Sequence, residues 1–457
     1  MENPLLRKVP RTREPETNRY EAFGLKNNPF PIDPGLLPGS GDPRVNGSIY
    51  NNELFIEKQH QLDRLLIPGN NGAHSIAFLM DHATRRGRGI GKSAFLKHQR
   101  DRITDDFGWE ASKGTALLYA VHVMPPPACR KFWEFCRVLT EAMVEQEIIA
   151  MALWRLRALS RVIPDEVLQD IGQASDWSDT IGNDSWLQSK GVDVFFTLHK
   201  VIREKLIAAG VRTELAEILA RAPNNMALGS QLFSMLTDSR WRRDAGRIVF
   251  NDFVCLFESA EFTRGLLFID EVEKIIYHQN IGERRLFVES LRYCLFDADY
   301  ANSKNKFYGI LLTIHPGVQE ILLSHWNAAG LDRFSPLAEP HAQETTIYFP
   351  PLDKRMAIPL VKVYLDYFRI SESQKGSIAP FEEDALIEAL IKSGGVPGPM
   401  LHHLHRVVEH AVESGLSTIS RSVIDEVYSK TERIEAREVT EEEILPPTQV
   451  DLTERDS

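Results

Sequence analysis

Gly87-Arg88-Gly89-Ile90-Gly91-Lys92-Ser93 and Leu266-Leu267-Phe268-Ile269-Asp270-Glu271 are the two stretches from which the fold of this chain is read. The first follows an apolar run, Ser75 to Met80, and precedes a helical-looking segment beginning Ala94-Phe95-Leu96. Strand, glycine-rich loop and helix in that order make a phosphate cradle: glycines let backbone N–H groups approach closely, and the helix N-terminus adds its positive end. Lys92 then suits the β- and γ-phosphates of ATP, and the Ser93 hydroxyl suits Mg²⁺. The second stretch is an apolar strand that ends in two carboxylates. Asp270 fits a magnesium ligand and Glu271 fits a group that polarises water. Gly87, Gly89, Ile90, Gly91, Lys92, Ser93, Ala94 and Asp270 are therefore the expected nucleotide-binding residues, with Ser93 and Asp270 on the metal.

The loop departs from the G-x-x-x-x-G-K-[ST] spacing at one place. Arg86 stands where the first glycine belongs, and Gly87 is one residue late. A glycine-rich turn carrying a chance Lys-Ser pair is the competing account, and the strand ending in Asp270-Glu271 weighs against it.

The 457 residues allow two or three domains. With 43% hydrophobic and 26% charged residues the composition is that of an ordinary globular protein. No apolar run reaches the length of a membrane span, and the N-terminus lacks the apolar core of a secretory signal. Cys129, Cys136, Cys255 and Cys294 sit in apolar stretches without metal-binding spacing, so they are expected as reduced core residues of a cytoplasmic protein. The net charge of −11 argues against wholesale electrostatic binding to nucleic acid. Nine of the acidic residues, against three arginines, lie in residues 431–457, which read as a solvated, disordered tail.

In chain order, residues 1–48 are mostly irregular, with Phe23-Gly24-Leu25-Lys26-Asn27-Asn28-Pro29-Phe30 as a short docking segment. Residues 49–127 and 264–352 alternate strands with helices: helix 53–66, strand 75–80, helix 92–105, strand 116–123, the Asp270 strand, helix 283–296, strand 307–314, helix 317–325 and strand 345–349. That alternation predicts an α/β fold with a parallel sheet flanked by helices. Residues 128–263 read as helical throughout, with a break at Gly246, and residues 353–430 as four helices. The cluster Arg240-Trp241-Arg242-Arg243, with Arg247 beyond, is suited to gripping phosphates beside an aromatic; a solvated helix face is the alternative.

With these motifs in place, the chain resembles the AAA+ P-loop ATPases. It looks most like the origin-recognition-like group and its bacterial relatives, the ATPases of transposition regulation and of secretion accessory systems. The resemblance covers roughly residues 20–127 and 264–430. The two opening stretches are similar to Walker A and Walker B, and the 23–30 segment to the one that opens the bacterial members. Leu311-Leu312-Thr313-Ile314-His315-Pro316 looks like the sensor-1 region, with His315, or failing it Thr313, as the polar group that watches the γ-phosphate. Leu331-Asp332-Arg333-Phe334 falls where the family keeps an arginine finger, so the resemblance implies that Arg333 serves a neighbouring subunit's ATP. Residues 381–415 resemble the helical lid, but Gly398 stands where the sensor-2 arginine belongs. About 140 residues separate the 116–123 strand from the Asp270 strand, far more than one crossover helix needs. A helical insertion accounts for them. The resemblance implies an oligomeric, ATP-hydrolysing switch with Glu271, Arg333 and His315 in catalytic roles. It also implies a protein partner reached through the insertion; the arginines at 85–88 and 240–247 make DNA a further candidate partner, which the net charge of −11 opposes. A scaffold that holds ATP without hydrolysing it is the alternative.

Overall fold

The computed structural model describes residues 18–37, 39–68, 74–81, 89–172, 176–221, 225–300 and 306–430. Gly87, the arginines at 85, 86 and 88, and the acidic tail lie outside them. Contacts divide the chain into two units, one of Phe55–Gly87 and Gly91–Pro350, the other of Met1–Leu54, Arg88–Ile90 and Pro351–Ser457.

The larger unit is built on strands β1 (Ile76–Asp81), β2 (Leu118–Val123), β3 (Arg264–Ile269), β4 (Tyr308–Ile314) and β5 (Thr346–Phe349). They form one sheet in the order β2-β3-β4-β1-β5, with every pairing parallel. Every residue of β1 to β4 is buried, which is why these strands are mostly apolar runs instead of alternating ones, with Asp81, His122, Arg264 and Thr313 as the polar exceptions. The chain leaves β1 towards β2 on one side and leaves β4 towards β5 on the other. Between these adjacent strands lies the topological switch point, where open parallel sheets place ligands beyond the strand C-termini. This order, with the glycine-rich sequence between β1 and α2, makes the fold that of an α/β P-loop NTPase.

The helices of this unit are α1 (Ile56–Leu66), α2 (Lys92–Thr104), α3 (Phe132–Glu145), α4 (Ile148–Ala158), α5 (Asp165–Gly172), α6 (Asp184–Ser189), α7 (His199–Ala209), α8 (Thr213–Arg221), α9 (Asn225–Thr237), α10 (Ser239–Arg242), α11 (Ala245–Arg247), α12 (Phe253–Ser259), α13 (Glu273–Ile276), α14 (Ile281–Arg292) and α15 (Pro316–Ala328). Those from α3 to α12 do not close on a core of their own. Their buried residues, Leu139, Leu153, Leu206 and Phe253 among them, join the sheet residues Val121, Leu267 and Ile310 in one continuous cluster. All four cysteines are buried and outside any disulfide.

Gly246 does not break a helix. The break falls just before it, at Arg243-Asp244, and Gly246 lies within α11, where a Cβ would come within 2.7 Å of Cys294 Sγ and 3.1 Å of Phe132 Cε1. Glycine is needed there for close packing. No helix among the described residues is long and apolar enough to cross a membrane.

The smaller unit holds α16 (Lys354–Phe368), α17 (Glu383–Lys392), α18 (Pro397–Glu413) and a last helix over residues 421–430. The segment from Tyr20 to Phe30 is fastened to this unit's helices. Lys26 N–H donates to the Phe368 carbonyl at 2.8 Å, and the Asn28 amide donates to the His405 carbonyl at 3.0 Å and to Glu409 at 2.7 Å. Phe23, Leu25 and Phe30 are buried with Val361, Leu365, Leu404 and Val408.

His403 of α18 stacks on Tyr428 at 4.0 Å, with its Nδ1 buried and unsatisfied. Burial first, then the charges of His402 and Arg406, lower its pKa from 6.5 to about 4. The unfolded chain therefore takes up this proton first as the pH falls. The ring's contribution is whole above about pH 6.5 and is lost on the way to about pH 4. His403→Phe keeps the stacking without the proton, so its denaturation midpoint is expected to fall less than the wild type's over that window. Equal slopes in the two proteins would contradict this.

Candidate nucleotide site

The site of the larger unit forms at the C-terminal ends of β1, β3 and β4. Gly91 has φ +94°, a left-handed conformation open to glycine, and it turns the chain into α2, which Lys92 begins. The Gly91 N-cap makes no side-chain cap hydrogen bond, and the first turn of α2, from Lys92, carries the helix's positive end. Gly89 and Ile90, which precede Gly91 in the chain, belong to the smaller unit; Gly89 is also left-handed, at φ +83°, and Ile90 is buried.

Register brings the carboxylate strand to its partners. Ile269 of β3 lies opposite Leu312 of β4, so the next residues, Asp270 and Thr313, meet. The Thr313 hydroxyl donates to Asp270 Oδ1 at 2.7 Å, and Glu271 N–H is shared between Asp270 Oδ1 at 2.9 Å and Thr313 Oγ1 at 2.7 Å. Asp270 is 1% exposed. Burial pushes its carboxyl up. His122 at 3.4 Å, by hydrogen bond and charge, then hydrogen bonds from Ser93 and Thr313, hold it below the ordinary carboxylate range. An ionised Asp270 touching the Ser93 hydroxyl is the donor set that a magnesium ion needs alongside phosphate oxygens and water. The residues present therefore fit Mg²⁺·ATP.

Glu271 stands at φ +50°, unusual for a side chain with a Cβ, and its carboxylate pairs with Lys274 one turn on. Glu273, at the start of α13, is a further carboxyl near the site. Burial lifts it above its ordinary range, with the charges of His315 and Lys92 opposing.

Of the two sensor candidates, Thr313 is the one in contact with the carboxylates. His315 is committed elsewhere: its Nδ1 accepts the Gly317 N–H at 3.1 Å to cap α15, and its Nε2 meets the Tyr277 hydroxyl at 2.9 Å. A histidine before Pro316 reads equally well as a helix cap, and only the contacts distinguish the two roles. Arg333 lies on a short 3-10 turn, Leu331–Arg333, after α15. Leu331 is buried, whereas Arg333 is exposed and makes no ion pair among the described residues.

Two site residues were absent from the reading of the sequence. Asp81 ends β1 fully buried, with Lys92 Nζ 2.9 Å from its Oδ2 and its Oδ1 unsatisfied. His122 lies in β2 beside Asp270. Each was marked by being a lone ionisable residue in an otherwise apolar strand. Asp81 also lines a cavity of about 820 Å³ at the ends of β1 and β5, with Lys58, Arg64, Gln319 and Tyr348. A phosphate must take Lys92 from Asp81, because both side chains are shielded from water, at 12% and 0% exposure. Asp81→Asn keeps the shape and removes the competing charge. It is expected to tighten ATP binding about tenfold, roughly the worth of one charge-assisted hydrogen bond. Weaker binding in a fluorescent-nucleotide titration would mean that Asp81 positions Lys92 instead.

In the smaller unit, the Gly398 N–H donates to the Gly89 carbonyl at 2.8 Å. A Cβ on Gly398 would lie 3.0 Å from Gly89 Cα. That close approach excludes an arginine from the position where the family resemblance implies one.

No family profile matches this chain, and a comparison with curated proteins finds no relative. Among solved structures, similar folds include the Aeropyrum pernix ORC2 protein in its ADPNP–ADP complexes, at 11% identity and a TM-score of 0.40, over 86% of this chain and 69% of that one. Another is the Walker-type ATPase PABY2304 of Pyrococcus abyssi, at 14% identity and a TM-score of 0.36, over 86% and 75%.

Proposed function

We infer that the chain binds Mg²⁺·ATP and hydrolyses it, working as an AAA+-type switch in an assembly of its own copies. The observation that carries this is the hydrogen-bonded set Asp270–Thr313–Glu271, with Ser93 of the α2 N-terminus acting on Asp270. The backbone N–H groups of residues 91–94 and the Lys92 ammonium bind the phosphates. Ser93 and Asp270 hold the magnesium ion, which when bound spreads the phosphates' negative charge. Thr313 fixes Asp270 and the Glu271 backbone, and Glu271 orients the attacking water. Arg333, exposed and unpaired among the described residues, is suited to reach a neighbour's site. The switch would act on a protein or nucleoprotein partner, as in transposition control or phage defence, with the α3–α12 region as the partner-reading part.

A second reading, a scaffold stabilised by ATP it does not cleave, is favoured by the pairing of Glu271 with Lys274 and by Gly398 in place of an arginine. Phosphate release at high protein concentration, wild type against Lys92→Ala, separates the two. Turnover confined to the wild type supports the switch. ATP retention with equal, negligible turnover in both supports the scaffold.

A further inference from the structure

We propose that a cavity between α3, α10–α11 and the end of α14 binds a single strand of nucleic acid through its phosphates and bases. This rests on residues separate from the ATP site and does not depend on hydrolysis. The cavity is about 900 Å³. Five cationic side chains line it: Arg130, Lys131, Arg242, Arg243 and Arg247.

Its acidic lining is mostly engaged already. Glu283 pairs with Arg130 at 2.6 Å, Asp244 with Arg212 at 2.9 Å, and Glu289 with Arg285 at 2.7 Å. Lys131, Arg242, Arg243 and Arg247 make no ion pair among the described residues; the charges of Glu283 and Asp252 reach Lys131 and Arg247, and Asp299 lines the same cavity. In a chain of net charge −11, four such cations around one concavity form a local attraction for anions.

The rings decide which anion. Arg242 lies over Trp133, its Cζ 4.6 Å from the ring centroid, which orients a guanidinium and an indole together at the wall. Tyr293 is 56% exposed on the facing side. An exposed ring, Tyr293, among cations suits unpaired bases strung on phosphates, since every base has a face to stack, while the half-buried Trp133 orients Arg242. A carboxylate peptide would leave the rings unused. A duplex keeps its bases covered, and an inorganic phosphate fills little of the volume.

The contiguous Arg-Trp-Arg-Arg run does not assemble this wall alone. Trp241 is turned away under Arg212, 4.5 Å from its Cζ, and the aromatic beside the cations is Trp133 from α3.

The test is fluorescence anisotropy with a labelled oligothymidylate of about 15 nucleotides, using the full chain over a salt series. The wild type is expected to bind with a log–log salt slope near −2 to −3, as about three or four phosphate contacts on a single strand require. Combined Lys131→Glu, Arg243→Glu and Arg247→Glu should weaken binding at least tenfold, and Tyr293→Ala about tenfold. Lys92→Ala should bind like the wild type, and a duplex of equal length more weakly. No binding by the wild type, a flat salt response, or equal binding by the charge-reversed protein would overturn the proposal. Displacement of the oligonucleotide by polyglutamate at equal charge concentration would overturn it in favour of an acidic peptide. The graded Lys131→Gln and Arg243→Gln variants, checked by circular dichroism, separate lost charge from lost fold: binding equal to wild type in a folded Gln variant also counts against the site.

Discussion

Glu271→Gln is expected to leave ATP bound while turnover falls by about 10²–10⁴, the usual worth of a positioned acid–base group. The substitution keeps the size of the side chain and removes the charge that polarises water. Binding should persist because the proposed phosphate contacts come from residues 91–94, and the proposed magnesium contacts from Ser93 and Asp270. The backbone of Glu271 is held by its own N–H on Asp270 and Thr313, bonds that an amide side chain leaves in place. Its left-handed φ of +50° is a strained conformation, costing on the order of 1 kcal/mol, which this pair of bonds maintains. Phosphate release and equilibrium binding of labelled nucleotide, measured on the same preparation, check the expectation. Unchanged turnover would remove Glu271 from the chemistry, and loss of binding would show that it supports the loop instead.

Arg333→Ala carries the other large expected effect, a drop in turnover of about 10³–10⁵ if the side chain stabilises the transition state as an arginine finger does. The geometry sets a sharper test than the single variant. Arg333 stands exposed on a turn anchored by buried Leu331, and α15, which leads into it, is held by Trp326, whose indole donates to the Ser335 carbonyl at 2.8 Å. The turn should therefore survive removal of the guanidinium. Mixing Arg333→Ala with Lys92→Ala then pairs an intact site lacking a finger with an intact finger lacking a site. Turnover restored in the mixture shows action across a subunit boundary. Two inactive variants that stay inactive together, while still assembling, would exclude that role.

The α/β class and the two motif stretches were legible because their causes are local. A strand buried on both faces must be largely apolar, so β1, β3 and β4 announce themselves. The left-handed turn before a helix calls for glycine, as at Gly91. The carboxylates Asp270 and Glu271 follow the strand that carries them. Assigning the sensor position was less secure, because His315 and Thr313 are polar residues at the same strand end, and spacing does not say which one faces Asp270. The missing arginine at position 398 was visible as a glycine, but its reason, the backbone of Gly89 3.0 Å from where a Cβ would stand, was not.

By itself, then, the amino-acid order determined a parallel sheet, a glycine turn into α2 and a pair of strand-end carboxylates, since each depends on neighbours within one turn or one strand. Tertiary structure decided that Thr313 braces Asp270, that Asp81 competes for Lys92, that the α3–α12 helices share the core of the sheet, and that Trp133 joins the arginines of α10 and α11. These are meetings of side chains far apart along the chain. Strand register and close packing bring them together, and no local pattern records such a contact.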